Sequence, residues 1–128
     1  MHKTIHVAVA VIIIKNKVLI AKRAEHLHKG GYWEFPGGKV EPNETIEDAL
    51  VRECQEELNI IPTQTSSLQK IEHYYPEKKV LLDVWLVEDY LGVPQGLEGQ
   101  PLVWIYKQDL NNYKFPEANQ AILEALMA

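Results

Sequence analysis

With one cysteine, Cys54, this chain cannot form an internal disulfide, and that suits a reducing, cytoplasmic setting. Long apolar runs are missing too. The stretch 7–14 is too short to cross a bilayer, which takes ~20 residues, and it lacks the layout of a signal peptide. Positive charge is scarce: 13 Lys and Arg against 18 Asp and Glu leave a net charge of -5, which argues against bulk affinity for a nucleic-acid backbone. It does not exclude a nucleotide substrate, because a bound cation reverses the local sign. No linker, repeat or low-complexity tract interrupts the chain. Its 128 residues, 46% hydrophobic and 24% charged, fit one soluble globular domain spanning 1–128 with one core.

The pattern of elements is mixed. Residues 4–14, rich in Val and Ile, predict a largely buried strand. Lys15-Asn16-Lys17 is a turn, 18–22 a returning strand, and 23–32 a polar loop. Trp33 to Gly38 is a short extended piece that turns into a helix at about 45–58, ended by Ile61-Pro62. Residues 68–75 and 80–87 predict two strands joined by Pro76-Glu77-Lys78, followed by a loop over 89–101, a strand at 102–106, and a helix at 116–127 opened by Pro116. Strands, helix, strands, helix predict an α/β fold, with a mixed sheet packed between helices.

The helix at 45–58 carries the strongest chemical signal. At ~100° per residue, Ile46, Ala49, Leu50 and Cys54 fall in one sector. Glu53 and Glu57 fall inside that sector and Glu56 at its edge, whereas Asp48, Arg52 and Gln55 lie opposite. Carboxylates aimed at a core are costly unless something positive meets them, and Glu53 with Glu57 is a like-charge pair at i,i+4. A hard divalent cation such as Mg²⁺ (or Mn²⁺ in its place) offsets both costs, since it takes oxygen ligands and shares them with phosphates. The plainer alternative is a solvated acidic helix in which Arg52 pairs with Glu56 at i,i+4.

The wider spacing bears on this choice. After Gly37-Gly38 come Glu44, Arg52-Glu53 and Glu56-Glu57 at fixed intervals, which resembles the Nudix box, a Gly, Glu, Arg-Glu and Glu-Glu signature of about two dozen residues. One position departs: Asn59 stands where the family has Gly, and Asn tolerates the left-handed conformation that a helix stop requires. The resemblance implies an α/β/α sandwich and hydrolysis of a phosphoric anhydride. It implies Glu53, Glu56 and Glu57 as metal ligands, with the carbonyl of Gly37 or Gly38 completing the site. Glu44 and Arg52 would be supporting members, with Arg52 orienting a glutamate. Glu53 is the favoured base and Glu98, which is also a candidate ligand, its rival.

The chain further resembles the MutT branch of that family, which clears oxidised guanine nucleotides from the precursor pool and so prevents mutation. Five stretches carry this: Lys22-Arg23-Ala24, Glu34-Phe35-Pro36-Gly37-Gly38-Lys39, Pro62, Leu97-Glu98-Gly99-Gln100-Pro101 and Phe115-Pro116-Glu117-Ala118-Asn119. By that resemblance Arg23 meets phosphate or the sugar-phosphate end, Lys39 lies near the leaving pyrophosphate, Phe35 lines the base pocket and Asn119 reads the purine edge; among the histidines, His28 is the candidate to flank the pocket. Tyr75, Lys78, Val80 and Leu82 fall where the pocket is lined. Tyr75 and Lys78 replace an expected Phe and Arg, and Lys cannot form the bidentate fork of Arg. An amide suits the Asn119 role, because it offers a donor and an acceptor side by side.

The expected activity is Mg²⁺-dependent conversion of 8-oxo-dGTP to the monophosphate and pyrophosphate by a cytoplasmic monomer, without nucleic-acid or membrane partners. Rival substrates with the same chemistry are another nucleoside triphosphate, a dinucleoside polyphosphate or ADP-ribose. A Nudix-fold module without catalysis is a different class, and the core-facing glutamates argue against it. Action on nucleic acid is disfavoured by the acidic balance. The His26-Leu27-His28 spacing matches no standard zinc motif. Cys54, His2, His6, His73, Trp33, Trp85 and Trp104 read as packing or strand residues.

Overall fold

The long first strand organises the molecule. In the computed structural model, which describes residues 3–27 and 30–128, β1 (Lys3–Ile14) is followed by β2 (Lys17–Lys22), β3 (Trp33–Glu34), β4 (Gly37–Lys39), α1 (Ile46–Leu58), β5 (Ile60–Tyr74), β6 (Lys78–Gly92) and β7 (Leu102–Tyr106). Two 3-10 turns, Lys107–Asn112 and Glu117–Asn119, lead to α2 (Gln120–Met127). β1 runs parallel to β6 over ten register pairs and antiparallel to β4, and at its far end forms a hairpin with β2. β2 in turn carries β3 and β7, and β6 carries β5, giving one mixed seven-stranded sheet.

Both faces of β1 are covered, and its alternation shows how. Val9 and Val11 pack on the α2 side with Phe35, Val84, Phe115, Ile122 and Leu126. Ala8, Ala10 and Ile12 pack on the α1 side with Ala49, Leu50, Cys54 and Leu58. Each fully buried Leu or Ile contributes roughly 1.5–3 kcal/mol. The two alanines matter beyond burial, because their short side chains let α1 approach the sheet closely. Cys54 is 1% exposed within this layer, and burial, with the charges of Glu57 and Glu53 behind it, pushes its thiol up to about 12.

The helix ends follow local chemistry. Thr45 caps α1, its hydroxyl accepting from the Asp48 N–H at 3.1 Å. Asn59 stops it in the left-handed conformation (φ 61°, ψ 34°), its N–H donating to the carbonyls of Cys54 and Gln55. The stop therefore precedes Ile61-Pro62.

Three expected boundaries move. β5 begins at Ile60, well before residue 68, because the polar run Thr63 to Ser67 forms an edge strand whose register shifts relieve the pairing around Pro62. β6 runs on to Gly92, so the loop starts at Val93 rather than at 89. The C-terminal α-helix starts at Gln120 rather than Pro116, which is extended (φ -58°, ψ 151°). His28 and His2 lie outside the described residues.

Candidate active site

Pairing of β4 with β1 places Gly38 opposite Ala8 and Gly37 opposite Val9, directly beneath the face on which α1 rests. Glu53 and Glu57, one turn apart on α1, therefore meet this glycine pair. The Gly37 N–H donates to Glu57 Oε2 at 3.1 Å. The Glu53 carboxylate lies so close to Gly38 that a Cβ there would sit 2.5 Å from it. A Cβ on Gly37 would run into the Ala8 carbonyl, which as strand backbone cannot yield. Replacing Gly38 by Ala should thus displace the Glu53 side chain without breaking the strand. The expected outcome is a loss of turnover of about 10²-fold, as for a misplacement of about 1 Å, with little change in Tm, read by steady-state rates and thermal unfolding.

Arg52 corrects the helical-wheel reading. Its Cα faces away from the core, yet its side chain is only 23% exposed and folds back across the box. It grips Glu44 bidentately, Nε to Oε2 at 2.7 Å and Nη2 to Oε1 at 2.9 Å. Nη2 also donates to the Lys39 carbonyl at 3.0 Å, and Nη1 to Glu53 Oε1 at 2.8 Å. The i,i+4 partner, Glu56, is reached only at 3.4 Å. The Arg52 hydrogen bonds, with the Glu41 N–H, hold the Glu44 carboxyl down at about 2. Arg52 itself is pushed further up by Glu44 and Glu53.

The acidic groups are not equivalent. Glu57 is pushed up to about 8, first by burial and then by the negative charge of Glu53, Glu98 and Glu34, with the Gly37 N–H opposing. Glu98 and Glu57 line a cavity of about 110 Å³ together with Arg23, Glu34 and Gln100. Glu56 stands on the outer flank, its side chain 61% exposed. Among the described residues, no three carboxylates, imidazoles or thiols converge as a ready-made ion cage. The donor set nevertheless suits a hard cation: it is all oxygen, and a carboxyl pushed up by burial and by the negative charge around it is where added positive charge is most favourable.

A second cavity of about 230 Å³ is lined in part by Gly37 and Gly38 of β4. Phe35, Tyr75, Val80, Leu82 and Asn119 line it, and Arg23 and Glu34 are shared with the first cavity. Phe35 is buried and stacks on Phe115 at 5.1 Å. Asn119 precedes α2 in the capping position, but its side chain makes no capping bond. Lys78 does not line this cavity; its Nζ lies 5.4 Å over the Tyr75 ring at the turn closed by the Tyr75 N–H to the Lys78 carbonyl (2.8 Å). Lys39 is exposed at the end of β4.

Sequence reasoning missed two members. Glu34 holds Arg23 through Oε2 at 2.8 Å from Nη1, at the wall between the cavities. His73 lines the second cavity and packs on Tyr75 at 4.7 Å, although it reads as an ordinary strand residue. Strand alternation could have found His73, which shares a face with Tyr75; nothing local in the sequence marks Glu34 as the partner of Arg23. Elsewhere, Asp83 is a buried carboxylate (2% exposed) held by His6 Nε2 and Trp85 Nε1, both at 2.9 Å, so His6 and Trp85 satisfy a core charge.

Comparison with known proteins agrees with this architecture. Residues 8–125 match the NUDIX domain family. The chain is 42% identical to the 8-oxo-dGTP diphosphatase of Escherichia coli (strain K12), covering 97% of each. It is 38% identical to the CTP pyrophosphohydrolase of the same organism, covering 98% of this chain and 93% of that protein. A solved MutT structure, from work on Aliivibrio salmonicida and Vibrio cholerae, superposes with a TM-score of 0.86 at 38% identity over 98% of both chains.

Proposed function

This chain belongs to the NUDIX domain family, and on that footing we propose that it is a pyrophosphohydrolase acting on 8-oxo-dGTP, releasing the monophosphate and pyrophosphate and keeping oxidised guanine out of the nucleotide pool. The observation that carries this reading is the pair of cavities joined at Arg23 and Glu34, one acidic and one lined by rings, apolar side chains and the Asn119 amide. A triphosphate fits that plan, with its base in one cavity and its phosphates passing Gly37 and Gly38 of β4 toward the glutamates.

Nudix hydrolases generally use a divalent metal, and Mg²⁺ is the one proposed here; Glu53, Glu56, Glu57 and Glu98 would hold it, with a glycine carbonyl. When bound, it supplies neutralisation of phosphate charge and a more acidic water. The remaining work falls to the chain. Glu53 takes the proton of the water that attacks the β-phosphorus, and Arg52 fixes its carboxylate through the 2.8 Å bond. Arg23, oriented by Glu34, meets the phosphates, and Lys39 offsets charge on the departing pyrophosphate. Phe35 and Tyr75 cover the base, and Asn119 pairs with its altered edge. On this reading the protein acts as a cytoplasmic monomer on a small nucleotide, without nucleic acid or membrane as partner.

Oxidation of guanine adds a C8 carbonyl and turns N7 from acceptor to donor. A site matched to that edge leaves buried groups unpaired against guanine, which gives discrimination of about 10⁴ or more. Initial rates of pyrophosphate release with Mg²⁺ should therefore favour 8-oxo-dGTP over dGTP by orders of magnitude. Replacing Asn119 by Ala should raise KM for the oxidised nucleotide and cut the preference by about 10- to 100-fold, with stability unchanged. Similar rates for both substrates would remove the guanine assignment. CTP belongs in the same assay, because a CTP pyrophosphohydrolase is almost as similar in sequence.

A further inference from the structure

The last carbonyls of a helix have no partner within it and must find one elsewhere. At the end of α1 they find the loop that carries Glu98. The Gln95 N–H donates to the Leu58 carbonyl at 2.9 Å and the Leu97 N–H to the Glu57 carbonyl at 3.0 Å. A side chain from the same loop joins them: Gln100 Nε2 donates to the Glu57 carbonyl at 3.1 Å, so that both lone pairs of this oxygen are engaged. The other end of the same amide, Oε1, accepts the Glu98 N–H at 2.9 Å. One planar group thus ties the backbone of Glu57 to the backbone of Glu98. The loop is shaped for it: Gly99 (φ 79°) closes a turn through its N–H to the Gly96 carbonyl at 2.9 Å, and Gly96 leaves room for the Gln100 carbonyl, which a Cβ would strike.

We propose that Gln100 is a positioning residue that sets the distance between the Glu57 and Glu98 carboxylates, and so controls how tightly the acidic cavity takes a divalent cation. This rests on the hydrolase reading of that cavity. Gln100 itself holds no cation and takes no proton. Both residues stand where a helix end meets a loop, and while the Gln95 and Leu97 N–H groups hold the loop to that end, the Gln100 amide is the group bonded to the backbone of Glu57 and of Glu98 together. Removing the clip leaves each side chain present but lets the pair drift.

The test uses the full chain with Mn²⁺ as probe, its binding followed by the loss of the free-ion electron paramagnetic resonance signal, with kcat and thermal unfolding measured alongside. Gln100→Ala should weaken Mn²⁺ binding by about 10-fold or more and lower kcat, with little change in unfolding temperature. Gln100→Glu keeps an acceptor for the Glu98 N–H but sets a carboxylate against the Glu57 carbonyl, and should weaken Mn²⁺ at least as much. In a Glu98→Gln background the Gln100→Ala change should add little, because the group it positions is already lost. Unchanged Mn²⁺ affinity in both Gln100 variants, or full additivity with Glu98→Gln, would overturn the proposal. A wild-type chain that binds Mn²⁺ without hydrolysing any nucleotide would instead refute the hydrolase reading, and the role of Gln100 would still be decided by the Mn²⁺ titrations.

Discussion

Replacing Glu53 by Gln should lower kcat by about 10³-fold or more while leaving the fold and the substrate affinity nearly unchanged. Gln has the same shape as Glu. Its carbonyl can keep the hydrogen bond from Arg52 Nη1 now made by Glu53 Oε1 at 2.8 Å, so the side chain should stay against Gly38. Its other terminal atom becomes an N–H₂ donor, which can neither accept a proton from water nor face a cation. The charge, the basicity and one oxygen ligand for the cation are removed, and stability should hold because the strained alternative, a side chain pushed off Gly38, does not arise. The measurement is kcat and KM for pyrophosphate release, with nucleotide affinity determined separately by calorimetry. Turnover within tenfold of wild type would pass the base role to Glu98, and Glu98→Gln becomes the decisive variant. A binding module would keep its affinity in this variant and show no turnover even as wild type.

The second large effect is on stability. Without metal, the protein should lose stability as pH rises from about 5 to 8.5, and a divalent cation should restore it. Glu57 is the reason. Its folded carboxyl is raised from the usual 4.5 to about 8, chiefly by burial and then by Glu53, Glu98 and Glu34. The folded state therefore binds a proton that the unfolded chain has released. The stabilisation is complete below pH 4.5 and is lost as pH rises through 8. Its ceiling is on the order of 4 kcal/mol, reduced by solvent entering the cavity, which for a domain of this size corresponds to a fall in Tm of about 10 °C. Glu44 works in the opposite direction and in another window: held down at about 2 by Arg52, it stabilises above pH 4.5, and that contribution is lost only in acid. The two are separable. A cation takes the place of the proton on Glu57, so its affinity should rise with pH and the Tm of the loaded protein should become nearly flat. A flat metal-free Tm across the same range would show that Glu57 is ionised and solvated, and that the cavity lacks the proposed affinity for positive charge.

The order of strands and helices, the acidic helix and its cap could be read from the chain because each rests on local chemistry. The Val and Ile run of β1, the 3.6-residue period of α1 and the Asn59 stop all act over a few residues. The same holds for the cost of core-facing carboxylates on α1, which pointed to a cation before any fold was known. The limits are equally physical. The early part of β5 is polar because it is a sheet edge, so it carries no hydrophobic period to detect, and only its partner β6 makes it a strand. Pro116 looked like a helix start, but Phe115 is buried against Phe35, and the chain turns through a 3-10 segment before α2 can begin.

The sequence by itself therefore determined which groups are present and which of them share a helix face: Glu53 with Glu57, and Arg52 apparently opposite. Tertiary structure decided what those groups meet. β1 to β4 pairing brings Gly38 under Glu53, and Arg52, read as outward, turns back to bind Glu44 and Glu53. Folding also separates Glu56 from Glu57 by exposure, although they are neighbours in sequence, and joins Glu57 to Glu98, 41 positions further along, through one amide. Local spacing fixes direction along a helix. Long side chains, a bent loop and a second strand fix distance, and the distances between charges set the proton and cation affinities on which this chemistry depends.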